Sequence, residues 1–434
     1  DQEERLFREL KKKVYVRVAL TDDLKFCRYS TGGPQNPPPP LGSWIKTLEL
    51  VPELIRGGAL LLHGLTDYPY SLRRIGRILH AKGFYVLGLR LPGHGTIPGA
   101  LTNVRWEDWV AASRIGARHV REQIGSDRPF GIVGYSNGGA LAVKYALDAL
   151  VDPDLPSPDR LLLFSPEIGV SALAFAANTH KLLSFLPYFE KSKWLDIIPE
   201  YDPFKYNSFP KNAAQQAYGI TKTLQRQIDE TRAAGKFADF PPVFTFLSWI
   251  DATVDTSATI HRLYEQLQNK GSELVVFDVN RFHQLEPFIP AANDKPLKQL
   301  ETRSDLPYRL TLITNMDRNS NRMVQRTKAP RSGVIDSTIL DVAWPPGVYS
   351  LTHVAVQFSP DDPVYGTNKN SNDKYHGLLL GRLQPRGESH LLTAPLRQLM
   401  RLRHNPFFTY LEQRVVNDVD HQLTGGRQWI SEAN

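Results

Sequence analysis

From Gly57 onward the chain alternates between two rhythms. "GGALLLHG" is a continuous apolar run bounded by glycine, which predicts a buried strand. "SLRRIGRILHAKG" then spaces its apolar residues for a helix that stops at Gly83. "FYVLGLRLPG" predicts a strand, "WEDWVAASRIGARHVREQI" a helix, and "RPFGIVGY" a strand. "NGGALAVKYALDAL" follows, with Leu141, Ala142, Tyr145 and Ala146 at helical spacing, and then the strand "RLLLFSP". After a break the rhythm resumes with the strand "PPVFTFLSWID" (241–251), the helix "SATIHRLYEQLQNKG", and the strands "SELVVFDV" (272–279) and "YRLTLITN" (308–315). Strand and helix in turn predict an α/β fold, a mostly parallel sheet with helices on both faces. Right-handed crossovers line the strand C-termini along one edge, where ligands bind.

The break, residues 167–240, is rich in aromatics and prolines, among them Phe175, Tyr188, Trp194, Tyr201, Phe204, Tyr206 and Phe209. It predicts a helical cap insertion that supplies an apolar pocket and excludes water. Residues 1–30 are charged, with Leu6, Leu10 and Val14 forming a narrow stripe, and "STGGPQNPPPPLG" (31–42) is a linker. The expected organisation is an N-terminal extension with a Pro-rich linker (1–56), a first core half (57–166), the cap (167–240), a second core half (241–356) with an insertion (284–349), and a C-terminal extension (357–434). No internal repeat is visible.

Composition narrows the classes. At 434 residues, 41% apolar and 22% charged, the chain suits a globular protein of one large domain or two. Cys27 is the only cysteine, which excludes an intrachain disulfide and a cysteine zinc site. The net charge of +7 fits a mildly basic enzyme and leaves peripheral membrane contact open. The only compact basic run is Lys11-Lys12-Lys13. No stretch is apolar for the roughly 18 residues a bilayer requires. The chain begins at Asp1 rather than Met, so a trimmed signal or anchor is expected and the compartment is left unassigned. No His-Glu-x-x-His helix, phosphate-binding loop or dinucleotide fingerprint is present, so no metal or cofactor is expected, and no motif supports nucleic-acid binding. Asp361 and Asp362 read as a solvated turn.

The candidate chemistry lies in "IVGYSNGGAL" (132–141). Ser136 stands between Gly134 and Gly138, after a strand and before a helix, the context of a nucleophile elbow. A serine needs a base within reach and an acid to orient it. Asp251 ends a strand on the same sheet edge, whereas its rival Asp255 is placed to cap the next helix. Two histidines could serve as base. His283 closely follows a strand; His353, in "GVYSLTHVAVQF", lies beyond a longer block. The residues themselves do not decide between them. Backbone N–H groups of Leu65 and Asn137 are the candidate oxyanion donors, one from the loop "LLLHGLTD" and one directly after Ser136. His63 and His94 are expected to shape loops rather than to act as bases.

"GALLLHGLTDYPYSLRRIGRILHAKGFYVLGLRLPGHGT" followed by "GYSNGGA" resembles the serine α/β-hydrolase superfamily. Within it the chain is similar to the lysophospholipase and monoacylglycerol-lipase-like bacterial esterases. "EYDPFKYNSFP" and "YSLTHVAVQFSPDDPVYG" resemble a subgroup with a long C-terminal extension, in which the histidine of Ser-Leu-Thr-His looks like the base. The resemblance therefore implies an α/β-hydrolase fold and a triad of Ser136, Asp251 and His353. It departs from the compact pattern in the block 284–349. It implies a serine esterase acting through an acyl-enzyme on a small ester or lipid, best a monoacyl lipid. Alternatives that the residues leave open are an acyltransferase or amide hydrolase with the same triad, and a non-catalytic lipid-binding module.

Overall fold

Six consecutive buried residues, Gly57–Leu62, form the strand at the heart of the sheet. Its side chains alternate: Leu60 and Leu62 enter one core, Ala59 and Leu61 the other. A strand buried on both faces needs helices on both faces, and the chain supplies them. The computed structural model describes residues 2–15, 27–29, 41–169, 193–251, 253–268, 271–282, 295–346, 348, 350–367, 380–382 and 403–424.

In chain order the elements are α1 (Gln2–Lys13), β1 (Leu48–Leu50), β2 (Gly57–Leu62), α2 (Arg73–Ala81), β3 (Phe84–Leu89), α3 (Trp106–Ile124), β4 (Phe130–Tyr135), α4 (Asn137–Ala149) and β5 (Arg160–Phe164). A hairpin of β6 (Trp194–Asp196) and β7 (Phe209–Pro210) and the helix α5 (Lys211–Ala233) follow. Then come β8 (Val243–Ser248), the short α6 (Thr256–Ala258), β9 (Glu273–Phe277), α7 (Lys295–Thr302), β10 (Arg309–Asn315), β11 (Arg322–Lys328), β12 (Ile335–Ala343) and α8 (Phe408–Leu423). The main sheet runs β1-β3-β2-β4-β5-β8-β9-β10-β11-β12. From β3 to β10 neighbouring strands are parallel, while β1, β11 and β12 pair antiparallel at the edges.

The predicted strands of the alternating region all form. The predicted helix after Asp251 is irregular: α6 passes into a π turn at Thr259–Leu263 and a 3₁₀ turn at Tyr264–Gln266. Of the expected cap, residues 170–192 lie outside the described residues; the rest contains the β6–β7 hairpin and α5. The block 284–349, expected as an insertion, contributes β10, β11 and β12 to the main sheet. The turn at Asp361-Asp362 is not wholly solvated as read. Asp361 is exposed, but Asp362 is buried and accepts from Tyr70 Oη at 3.0 Å and from the Val364 and Tyr365 N–H groups at 2.9 Å each. Its side-chain partners, Tyr70 and Arg73, lie 292 and 289 positions away, so no local pattern foretold its burial.

Helices α3, α4 and α5 cover one face of the sheet, and α2 and α8 the other. Helix α8 buries Leu411, Val415 and Val419 at i, i+4, i+8. It is also tied down by charge. Arg414 donates to both carboxylate oxygens of Glu273 on β9 at 2.6 Å, and Thr311 Oγ1 donates to Oε1 at 2.6 Å. A carboxylate this buried costs several kcal/mol when it loses its cation. Arg414→Met should therefore lower stability by about 3 kcal/mol in urea unfolding at pH 7, and adding Glu273→Gln should restore most of the loss. Equal stability of the single variant and the wild type would refute this account of how the C-terminal helix is docked.

Candidate active site

Strand β4 ends at Tyr135 and α4 begins at Asn137, which leaves Ser136 to make the turn. Its backbone sits at φ 54°, ψ −119°, a conformation that a residue with a side chain rarely adopts. Four hydrogen bonds hold it there. Ser136 N–H donates to Phe164 O at 3.0 Å, and Ser136 O accepts from the N–H groups of Gly139, Glu167 and Ala140 at 2.9, 2.9 and 3.3 Å. The glycines are needed for close approach. A Cβ on Gly138 would lie 1.9 Å from Leu62 O, and one on Gly134 would lie 2.5 Å from Gly138 O. The first turn of α4 is thereby pressed against the end of β2.

Asp251 follows β8. Its side chain is fully buried, and its Oδ1 accepts from the N–H groups of Thr253 and Val254 at 2.8 and 3.1 Å. That leaves Oδ2 for His353, whose Nδ1 lies 2.7 Å away. The bond spans 102 positions in sequence. Two asparagines clamp the segment that carries His353. Asn280 Nδ2 donates to Val348 O at 2.8 Å, and Asn405 Nδ2 donates to Val356 O at 3.1 Å. The His353 ring packs on Tyr135, 5.2 Å between centroids, one residue before Ser136. A carboxylate on Nδ1 fixes the tautomer that turns Nε2 into an acceptor. Asp255, the rival acid, caps α6 instead, accepting from Ala258 N–H at 3.0 Å. His283, the rival base, lies outside the described residues.

Leu65 and Asn137 flank the same edge. The loop that carries Leu65 is fastened on both sides: Leu65 O accepts from His94 Nε2 at 2.7 Å, and Thr66 O accepts from Tyr206 N–H at 2.8 Å. His63 braces the loop from below. Its Nδ1 donates to Gly64 O at 2.9 Å and its Nε2 accepts from Leu91 N–H at 3.1 Å, so the ring is neutral. Burial drives the pKa of His63 well down, and that of His94 down to about 4, as befits neutral braces rather than bases.

Two acids that sequence reading passed over also belong here. Asp67 is buried beside Gly64; burial pushes its carboxyl up while Lys205 and His353 pull it down. Glu167 follows β5, and its N–H is the one bound to Ser136 O. Although the residue is partly exposed, its Oε2 is buried with no hydrogen-bond partner among the described residues. Burial pushes the carboxyl up to about 7, partly offset by His353. "SPE" at a strand end was the available signal, but only the fold shows which strand lies beside Ser136.

A carboxyl whose pKa is higher in the folded chain keeps a proton that the unfolded chain releases. The stability that Glu167 contributes therefore falls as pH rises from about 4.5 to about 7, and levels off above. Glu167→Gln should lack this decline. It should match the wild type at pH 4.5 and exceed it by about 1–3 kcal/mol at pH 8, read from urea midpoints, the range allowing for partial exposure. A stability difference that does not change with pH would contradict the raised pKa.

The family model described as the alpha/beta hydrolase family matches residues 59–365. A thermostable monoacylglycerol lipase of Bacillus sp. (strain H-257) is 32% identical over 89 residues, 20% of this chain and 34% of the lipase. The chain thus spans about a third of that relative's length. A carboxylesterase of Bacillus subtilis (strain 168) is 23% identical over 235 residues, 53% of this chain and 87% of the esterase. Among solved structures, a metagenome-derived lipolytic enzyme aligns over 60% of this chain and 98% of its own, at 19% identity and a TM-score of 0.44. With the family model spanning well over half its length, the chain belongs to the alpha/beta hydrolase family.

Proposed function

We propose that this protein hydrolyses carboxylic esters through an acyl-enzyme on Ser136. The observation that carries the reading is the 2.7 Å bond between Asp251 and His353, on the sheet edge where Ser136 occupies its strained turn. In this reading Ser136 Oγ attacks the ester carbonyl carbon while His353 Nε2 takes its proton. Asp251 stabilises the imidazolium and holds its tautomer. The negative charge that forms on the carbonyl oxygen is met by the N–H groups of Leu65 and Asn137, the latter at the positive end of α4. The intermediate collapses, the C–O bond breaks, and His353 returns its proton to the departing alcohol. A water then attacks the acyl-enzyme with His353 as base, which releases the acid and restores Ser136.

The substrate class is a monoacyl lipid or comparable ester with an apolar acyl chain. Support comes from the aromatic residues of the segment between β5 and β8, proposed as the cap, and from relatives named as a monoacylglycerol lipase and a carboxylesterase. Phe204 of that segment stacks on Tyr70 at 3.6 Å between centroids, beside the Leu65 loop.

A fluorophosphonate probe should label the wild type and fail on Ser136→Ala. Loss of labelling in His353→Ala with retention in His283→Ala would place the base at 353; the opposite pattern would move it to 283. Asp251→Asn should lower kcat on a p-nitrophenyl ester by roughly 10⁴-fold with the fold intact by circular dichroism. Folded wild-type protein that neither labels nor turns over esters would sink the reading.

A further inference from the structure

We infer that Arg28, in the N-terminal extension, is a positioning residue for the oxyanion loop, so that the extension is part of the catalytic unit. The inference rests on the ester-hydrolase reading of the same site. Arg28 lies outside the region matched by the family model, which begins at residue 59. Yet its side chain is buried where three loops behind the site converge.

The guanidinium joins those loops through separate bonds. Nη1 donates to Pro203 O at 2.7 Å, on the segment before β7. Nη2 donates to Tyr68 Oη, on the loop that carries Leu65, and to Tyr29 Oη at 2.7 Å. It also reaches Thr96 O at 3.4 Å, a carbonyl that Tyr29 Oη binds at 2.7 Å. The backbone adds a further tie, Arg28 N–H to Glu200 O at 2.7 Å. The Tyr29 and Tyr68 rings lie 4.7 and 5.0 Å from the guanidinium carbon, within cation–π range.

The electrostatics point to geometry rather than to stability. Among the described residues Arg28 forms no ion pair; carbonyls, phenols and ring faces touch its charge, and the Glu200 carboxylate acts on it only from beyond ion-pair distance. Burying a charge with no counter-charge in contact is expensive, so an apolar side chain would make a cheaper filler. A planar five-donor group does what a filler cannot, since it fixes several acceptors in one plane at set angles. The fixed acceptors lead to the site. Tyr68 stands three residues after Leu65, and its ring meets Tyr206 edge-on at 5.2 Å. Tyr206 N–H holds Thr66 O. Arg28 thus grips the loop directly through Tyr68 and indirectly through the 200–206 segment. A donor displaced by a fraction of an ångström loses most of its effect on a developing oxyanion.

The test uses full-length Tyr68→Phe, Arg28→Lys and the double variant. Tyr68→Phe removes only the hydroxyl that Arg28 binds and leaves the ring and the charge in place. Three quantities are read at 25 °C: kcat and KM on a p-nitrophenyl ester, and inhibition by a trifluoromethyl ketone, which forms an oxyanion on the nucleophile. Thermal midpoints are recorded alongside. In each single variant kcat should fall about tenfold with KM changed less than about twofold, and ketone affinity should weaken by the same factor as kcat/KM. The double variant should be little worse than either single one, because both cut the same link. Lower midpoints with kcat and ketone affinity unchanged would reduce Arg28 to a structural residue and overturn the inference. Arg28→Lys alone could misfold, but Tyr68→Phe still decides. Wild-type protein without labelling or turnover would fail the hydrolase reading itself, and this inference with it.

Discussion

Ser136 can hold its left-handed backbone only because α4 and β2 touch. The contact is backbone on backbone: Gly138 sits so close to Leu62 O that any side chain would collide. That approach traps the turn, aims the first N–H groups of α4 at the edge of the sheet, and places the loop after β2 beside them. A residue in such a conformation costs on the order of 1–3 kcal/mol, so its surroundings must over-determine it. They do, with one donated and three accepted backbone bonds. Ser165, one strand over, also has positive φ, and its N–H donates to Phe246 O at 2.9 Å. The two adjacent strand ends are bent alike, and this brings Glu167 onto the Ser136 carbonyl.

Around this constraint the protein uses neutral polar groups as braces and keeps charges for few places. His63 and His94 hold the 64–68 loop as uncharged rings, because burial makes their protonated forms unfavourable. Both would have to gain charge at low pH to bind protons as the unfolded chain does, so they weaken the fold under acid. Arg28 is the exception, a buried cation that stays charged because tyrosine rings and carbonyls replace its water. The two devices act on opposite sides of one short loop, 64–68.

Much of this was readable from local pattern. Periodicity located the strands from Gly57 to Phe164 and from Val243 to Phe277, because strands buried on both faces are continuous apolar runs. The glycines around Ser136 were readable because a backbone contact leaves no other residue possible. Asp251 was readable as a carboxylate at a strand end, and Asp255 as a cap. What was hidden depends on pairing across long sequence distances. The partners of Arg28, the burial of Asp362 and the buried oxygen of Glu167 arise from contacts that no window of sequence contains. The extra strands β11 and β12 were also missed. Their residues alternate weakly: β11 carries polar side chains among its buried positions, and β12, at the edge, is mostly exposed, as in "IDSTILDVA".

The late position of His353 explains why the C-terminal part cannot be an appendage. After β9 the chain crosses to β10, turns back through β11 and β12, and only then returns toward the edge where Asp251 lies. A histidine delivered by so long an excursion needs anchors close to it in space. Asn280, just past β9, holds the segment on one side, and Asn405, just before α8, holds it on the other. Helix α8 is in turn fixed to β9 through Arg414 and Glu273 and to α2 through Arg74–Glu412 and Lys82–Asp420. Downstream, Asp362 ties the same stretch to Tyr70, and Tyr365 Oη donates to Asp202 at 2.6 Å on the segment that Arg28 grips. Sequence outside the alternating core thus fixes both the Asp251–His353 pair and the 64–68 loop. The core positions the serine, and the extensions at either end position the groups that would make it reactive.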